Sequence, residues 1–300
     1  MGAPSPPVTR YAPSPTGPLH LGHVAHMLYV WGLARRFGAR ILLRIEDHDS
    51  GRCRPEYEAG AVEDLDWLGF HYDNVLHHPS PYRQSDSAAA YYEALEKLSR
   101  AGLVYRCDCS RKRIAETAPL GPGGERRYSG FCRDRQVPAD RPHGLRVRLE
   151  PGEERFVDGF LGPQSQDPES QCGDLLIRDR AEDWTYQFAV VVDDLRHGVD
   201  LIVRGEDLLP STGRQIRLAR LLGRPDPPRF FHHPLIVDER GMKLSKKTAA
   251  GPLADERKRG RSPQEILGEA AFRVGLAPTA APLELDAALA LVELSRADAR

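Results

Sequence analysis

Apolar and polar positions alternate in register with a short list of elements. Residues 8–14 (VTRYAPS) predict a strand that runs into a Pro/Gly-rich turn between Pro13 and Pro18. From Gly22 the period changes: Val24, Met27, Leu28 and Trp31 fall at i, i+3, i+4 and i+7, one face of a helix. Gly38 stands where such a helix ends. Residues 40–45 (RILLRI) predict a buried strand closed by Glu46 and Asp47. Strand, turn, helix and strand in this order make a βαβ unit, the start of a parallel sheet. A second helix is predicted from Pro55 to near Gly69, with acids in its first turns, and a third from about Ser85 to Ala101.

The texture then changes. Residues 103–180 hold a cysteine cluster, a Gly/Pro loop and short strands at 145–149 and 174–178, the pattern of an inserted unit. Buried-strand character returns at 186–193 (YQFAVVVD) and 199–204 (VDLIVR). A helix is predicted from Ser211 to Leu222, capped by Ser211 and stopped by Gly223, followed by a strand at 230–237 (FFHHPLIV). From 250 the chain is first polar and basic (ADERKRGR), a linker by composition, then helical at 263–274 and 283–297. No repeats are visible.

The chain has 300 residues, 40% of them hydrophobic, enough for one large core or two modest ones. Its formal net charge of -1 provides no global field for nucleic acid, so any such contact has to come from a local patch. No apolar run reaches 18 residues, which excludes a predicted membrane span, and MGAPSPPVTR lacks an apolar signal core. The expectation is a cytoplasmic protein. Five cysteines, at 53, 107, 109, 132 and 172, are then read as metal ligands or simple buried thiols rather than disulfides.

Two short motifs carry candidate chemistry. HLGH at 20–23 sits where a strand hands over to a helix. A helix N-terminus offers unpaired N–H groups and positive dipole, Gly22 allows close approach, and His20 and His23 can donate to α- and β-phosphate oxygens. Two surface histidines in a loop would look the same. KLSKK at 243–247 places Lys243, Lys246 and Lys247 in a loop fit to clamp a leaving pyrophosphate, or in an ordinary solvated basic run. Cys107, Cys109 and Cys132 provide three thiolates, which leaves a fourth tetrahedral position to be filled. Around them Arg106, Arg111, Lys112, Arg113, Arg126, Arg127, Arg133 and Arg135 form a basic stretch that suits either an RNA backbone or bulk water.

RYAPSPTGPLHLGH at 10–23 resembles the HIGH signature of class I aminoacyl-tRNA synthetases of the glutamyl type, and KLSKK is similar to their KMSKS loop. LLRIEDHDSGR (42–52), YRQSD (82–86), YQFAVVVDD (186–194) and LIVRGEDLLPSTGRQ (201–215) resemble glutamyl-enzyme segments in the same order. The resemblance covers roughly residues 8–248 and implies an α/β Rossmann catalytic domain interrupted by an acceptor-type insertion. Residues 1–102 would form its first half, 103–183 the insertion, 184–250 the second half and 251–300 a short helical tail in place of an anticodon-binding domain.

By the same resemblance, His20, His23, Lys243 and Lys246 are catalytic, and His20, Gly22, His23 and Lys246 bind ATP with its Mg2+. L-glutamate would lie among Arg10, Tyr11, Ala12, Pro13, Ser14, Glu46, Tyr186 and Arg204. Arg10 and Tyr186 would take its side-chain carboxylate, Arg204 the other carboxylate and Glu46 the ammonium. The pattern C-x-C…Y-x-x-x-C of the glutamyl-queuosine tRNA(Asp) synthetases is matched by Cys107, Cys109, Tyr128 and Cys132, which implies one Zn2+ per chain. The implied reaction is ATP-dependent formation of glutamyl-adenylate and transfer to the queuosine base in the anticodon of tRNA(Asp), by a monomer. A truncated glutamyl-tRNA synthetase charging tRNA(Glu), or a non-catalytic RNA-binding paralogue, are the alternatives. Lys247 stands where the general loop signature has serine.

Overall fold

The computed structural model describes residues 5–49, 51–73, 82–236 and 251–293. KLSKK, and with it Lys243 and Lys246, lies outside the described residues.

The first βαβ unit forms as its periodicity predicts. Strand β1 (Val8–Tyr11) leads through the Pro/Gly turn into helix α1 (Leu21–Phe37), and β2 (Arg40–Leu43) returns parallel to β1, with Val8 opposite Arg40 and Tyr11 opposite Leu43. Gly38 closes α1 in the left-handed conformation at φ 60°, which glycine adopts without a Cβ penalty. Helices α2 (Pro55–Leu68) and α3 (Ala88–Arg100) follow, the latter entered through a 3-10 turn at Ser85–Ser87.

Next come β3 (Val104–Cys107), α4 (Arg111–Thr117), β4 (Gly144–Val147), β5 (Glu154–Asp158), β6 (Gly162–Gln166), α5 (Pro168–Cys172) and β7 (Leu175–Arg178). Strands β3, β4 and β7 make an antiparallel sheet of their own. The β5–β6 hairpin does not join it. The hairpin adds instead, through the pair Asp158–Phe230, to the edge of a parallel pair formed by β8 (Leu201–Gly205) and β9 (Arg229–His233). Before β8 runs α6 (Tyr186–Arg196), and between β8 and β9 lie a 3-10 turn (Glu206–Ser211) and α7 (Thr212–Leu221).

The two parallel pairs meet side by side. Asp200 donates its backbone N–H to the Val8 carbonyl at 3.0 Å, and the Val8 N–H returns to the Asp200 carboxylate at 2.8 Å. The strands therefore lie in the order β2, β1, β8, β9, with one crossover leaving β1 in one direction and another leaving β8 in the opposite one. A crevice opens at the carboxyl ends of strands at such a switch point, and Tyr11 and Gly205 stand there.

Three expectations are corrected. YQFAVVVD, read as a strand, is the helix α6: Phe188 to Asp194 are buried without interruption, so no polar face marks a helical period, and tertiary packing overrides the β preference of the three valines. Trp184 stacks on Phe188 with ring centroids 5.0 Å apart and anchors its start. Ser211 makes no side-chain cap to α7; its hydroxyl accepts from Gln187 Nε2 at 2.9 Å. The basic stretch after 250 is a short helix, α8 (Leu253–Lys258), whose cations pair with Glu63, Asp255 and Glu256.

Helices α8, α9 (Pro263–Arg273) and α10 (Leu285–Glu293) are built into the core. Leu253, Ile266, Leu267, Ala270, Ala288 and Val292 share one apolar cluster with Val24, Leu28 and Trp31 of α1. Gly32 permits the contact: a Cβ there would stand 2.6 Å from the Val292 Cβ. Among the described residues no helix is long and apolar enough to cross a membrane.

Candidate active site at the strand ends

Helix α1 begins at the crevice with its two histidines turned back on the backbone. His20 is the N-cap, in extended conformation, and its Nδ1 accepts the Gly22 N–H at 3.1 Å. His23 Nδ1 accepts the His20 N–H at 3.0 Å, completing a reciprocal cap in which imidazoles replace the usual hydroxyl and carboxylate. Because both Nδ1 atoms accept, each neutral ring carries its proton on Nε2 and is a donor there. Gly22 has a steric reason to lack a side chain: a Cβ would lie 2.9 Å from His20 Cε1.

These residues line one side of an open cleft of about 440 Å³; Arg204, Gly205, Asp207 and His233 to Ile236 line the other. His233 Nδ1 faces the Pro234 carbonyl at 2.9 Å and so donates, which leaves its Nε2 to accept from His26 Nδ1 at 2.9 Å. Burial lowers His26 well below the ordinary histidine value, with His233 and Arg10 adding to the effect, so this chain of rings is neutral.

The residues expected around glutamate converge at the bottom of the crevice. Arg10 (4% exposed) leaves β1 and donates Nε to Asp194 Oδ1 at 3.0 Å. Arg204 (3% exposed) leaves β8 and is held in three directions, by His232 Nε2 at 3.0 Å, Gln215 Oε1 at 2.5 Å and Thr212 Oγ1 at 2.8 Å. His232 can accept because its other nitrogen donates to the buried Asp158 carboxylate at 2.5 Å. Burial lowers the Arg204 guanidinium, and the Tyr186 hydroxyl opposes that shift. Tyr186 in turn is raised by burial and by Glu46, and lowered by Arg204 and Arg10.

The remaining predicted residues play unequal parts. Tyr11 is buried against His26 and Trp31 and belongs to the core, its hydroxyl unpartnered among the described residues. Pro13 is buried and its carbonyl accepts the Glu46 N–H at 3.0 Å, which ties the turn to the end of β2. Ala12 is half-buried and Ser14 exposed beside it.

The cysteine cluster lies apart from the crevice, at the end of β3. Cys107, Cys109 and Cys132 are buried, unbridged, and have their sulfurs within 4.8 Å of one another. Tyr128 points its hydroxyl into the same point, 3.3 Å from Cys107 Sγ and 4.0 Å from Cys109 Sγ, and accepts the Cys132 N–H at 2.9 Å. Arg146 stacks over the Tyr128 ring at 3.7 Å. Burial pushes the Cys109 thiol up to about 12, with Cys107 and Cys132 adding to it. Cys107 moves the other way despite burial, drawn down by Tyr128 and Arg146. The basic stretch around the cluster is largely self-neutralised: Arg111 pairs with Asp179, Lys112 with Glu116, Arg127 with Glu169, Arg133 with Asp174 and Arg135 with Asp108.

The profile of the family described as tRNA synthetases class I (E and Q), catalytic domain, matches residues 7–286. The chain belongs to this family. A glutamyl-Q tRNA(Asp) synthetase of Bordetella bronchiseptica is 42% identical over 278 residues, covering 91% of this chain and 84% of that protein. One of Rhodobacter capsulatus is 41% identical over 280 residues, covering 86% of this chain and 98% of the relative. Among solved structures, the glutamate–tRNA synthetase of Elizabethkingia anophelis superposes with a TM-score of 0.77 at 24% identity over 96% of this chain. The methionyl-tRNA synthetase of Mycobacterium tuberculosis superposes at 0.54 and 14% identity, over 88% of this chain. The chain spans 66% and 63% of these two proteins, and the likeness is one of fold.

Several groups in this class I synthetase were not singled out from sequence. Arg44, Asp194, Thr212 and Gln215 stand in the family-like segments, and His232 outside them, yet none was assigned a role; they hold the pocket residues. Asp193 and Asp194 did carry a signal: two acids closing an uninterrupted apolar run have to be buried with partners.

Proposed function

We propose that the chain activates L-glutamate with ATP and transfers it to the queuosine base in the anticodon of tRNA(Asp). The observation that carries this reading is the convergence of Arg10, Arg204, Glu46 and Tyr186 beside a helix N-terminus that ends in two imidazoles. Two guanidiniums and one acid complement an amino acid bearing two carboxylates and one ammonium, and the burial of Arg10, Arg204 and Glu46 strengthens each pair. The acceptor follows the printed names of the relatives from Bordetella bronchiseptica and Rhodobacter capsulatus.

Chemistry here is positioning. One carboxylate oxygen of glutamate attacks the α-phosphorus of ATP, the bond to the bridging oxygen breaks, and pyrophosphate departs with the electron pair. Imidazole Nε2 donors of His20 and His23 and the α1 N-terminus face the charge that builds on the phosphate oxygens. A hydroxyl of the acceptor then attacks the glutamyl carbonyl and releases AMP, so no covalent enzyme intermediate and no side-chain base are needed. Mg2+ bound with ATP would offset phosphate charge, and Lys243 and Lys246 would hold the leaving pyrophosphate.

Zinc fits the cysteine cluster. Tetrahedral zinc–thiolate bonds of about 2.3 Å set sulfurs roughly 3.8 Å apart; Cys109 and Cys132 stand at 3.6 Å. Three buried thiols and a phenol gathered at one point are a donor set that a divalent cation closes. The metal would cross-link β3 to the loop carrying Tyr128 and Cys132, a structural role. Residues 103–183 then act as the insertion, with the β5–β6 hairpin pairing onto the catalytic sheet.

The test is acceptor choice. Labelled glutamate and ATP are incubated with queuosine-bearing tRNA(Asp) and with tRNA(Glu), and label is expected on the former alone. Label confined to tRNA(Glu) would refute the reading in favour of a short glutamyl-tRNA synthetase.

A further inference from the structure

Four charged groups are buried together behind the amino-acid pocket. Asp194 Oδ1 accepts from Arg10 Nε at 3.0 Å and from Arg44 Nη1 at 2.7 Å, while Arg44 Nη2 donates to Glu46 Oε1 at 3.0 Å. Arg44 is 1% exposed and is the most deeply buried guanidinium of the four-group cluster. A ligand in the crevice cannot touch it. Desolvating such a group is costly, and replacing a buried ion cluster by apolar side chains often stabilises a protein, so stability alone gives little reason to keep it.

We infer that Arg44 and Asp194 are positioning residues for amino-acid recognition, a buried brace that sets the two oppositely charged ends of the pocket, Arg10 and Glu46, at a fixed separation. This rests on the reading of the crevice as the glutamate site. Arg10 has five N–H donors in a rigid fork; Asp194 takes Nε, and the Val203 carbonyl takes one from Nη1 at 3.4 Å. The guanidinium is thereby turned so that the remaining Nη hydrogens belong to the ligand. Without Asp194, the nearest acid of the brace for Arg10 is Glu46, and a pair between them would occupy the anion and the cation that the substrate needs. Arg44 prevents the converse failure. It gives Asp194 and Glu46 separate Nη donors of one guanidinium, so the two acids are held apart on a shared cation. Asp193, the adjacent acid, is satisfied by Gln84 at 3.1 Å, Tyr91 at 2.8 Å and Arg196 at 3.2 Å, and so does not compete for Arg10.

Glutamate-dependent ATP–pyrophosphate exchange on the full chain tests this, with glutamate and ATP varied separately and the fold of each variant checked by thermal unfolding. Asp194→Asn is expected to raise KM for glutamate about 10- to 100-fold, since a misplacement of about 1 Å has an effect of that size. KM for ATP should change less than about threefold. Arg44→Lys, which keeps the charge and loses the fork, should act in the same direction. Should Asp194→Asn fail to fold, Asp194→Glu keeps the charge, displaces Arg10 by one methylene and should raise the same constant. The brace also predicts non-additivity: in an Arg10→Lys background Asp194→Asn should add little, because its effect passes through Arg10. An unchanged glutamate KM in the folded variants, parallel rises for both substrates, or simple additivity would overturn the brace while leaving the function intact. Absence of any glutamate-dependent exchange in the wild type would instead overturn the functional reading, and the assignment with it.

Discussion

The crevice at the strand ends and the cysteine cluster of the insertion both gather groups that an apolar core rejects, and they are completed by different means. In the crevice the charges already have partners within the chain: Arg10 and Arg44 share Asp194, Glu46 pairs with Arg44, and Arg204 is held by three neutral acceptors. Burial alone would raise the Asp194 carboxyl, but Arg10 and Arg44 hold it below the usual carboxylate range, so these pairs exist before any ligand arrives. The cluster gathers three buried thiols and a phenol linked by sulfur hydrogen bonds, with Cys109 raised to about 12. The first region is held by ion pairs within the chain, the second by packing and sulfur hydrogen bonds around the proposed zinc site. Pre-organisation favours catalysis; metal completion favours the local fold.

The comparison can be broken most directly by chelation. Stripping zinc from the protein should unfold the segment from β3 to β4, read as loss of amide-exchange protection over residues 104–147, while glutamate KM in pyrophosphate exchange changes less than about threefold. Loss of protection in β1 and β8 at the same time would show that the two regions are one cooperative unit. Next in size, Arg204→Lys should raise glutamate KM by about 100-fold or more, equivalent to roughly 3 kcal/mol, because an ammonium cannot meet His232, Gln215 and Thr212 together. Near-normal KM would mean that Arg204 is an architectural residue of β8. Smaller again, Tyr128→Phe should weaken zinc affinity about tenfold in competition with a chelator while the three cysteines still bind it; unaltered affinity would leave the phenol as packing under Arg146.

How much of this was legible in the residues follows the same division. The βαβ start was readable from period alone; HLGH, Arg10, Glu46, Tyr186 and Arg204 were named through motif resemblance, and His20, His23 and Arg204 line one cleft. Their supports were not readable, since Asp194 meets Arg10 across 184 residues and Arg44 across 150, and His232 meets Arg204 across 28. Nor was the state of α6, whose buried valines look the same in a strand or a packed helix. The hairpin β5–β6 was read as part of the insertion because sequence order hides its pairing with β9. The basic stretch after 250 looked like a linker because composition does not reveal ion pairing.

The smallest effect concerns pH. Burial lowers His232 and His26, and brings His197 to about 4, so the unfolded chain takes up protons near pH 6.5 that the folded chain refuses. Stability should therefore fall as pH drops below 6.5. Asp64 opposes this: burial raises it to about 6, and the folded state binds its proton between about 6 and 3.8 while the unfolded state does not. The net loss in Tm from pH 7 to 5 should be about 2–6 °C, and Asp64→Asn should steepen it. A profile flat over this interval in both proteins would contradict the assigned neutral histidines, including the one that steadies Arg204.

The contact between Gly32 and Val292 has a mechanical consequence. Helix α1 is gripped by α9 and α10 along the side away from the sheet, and an ångström of axial travel would drive Val292 into its backbone. The imidazole-tipped end of α1 is thus the fixed wall of the cleft, anchored through the helix to the packing of α9 and α10.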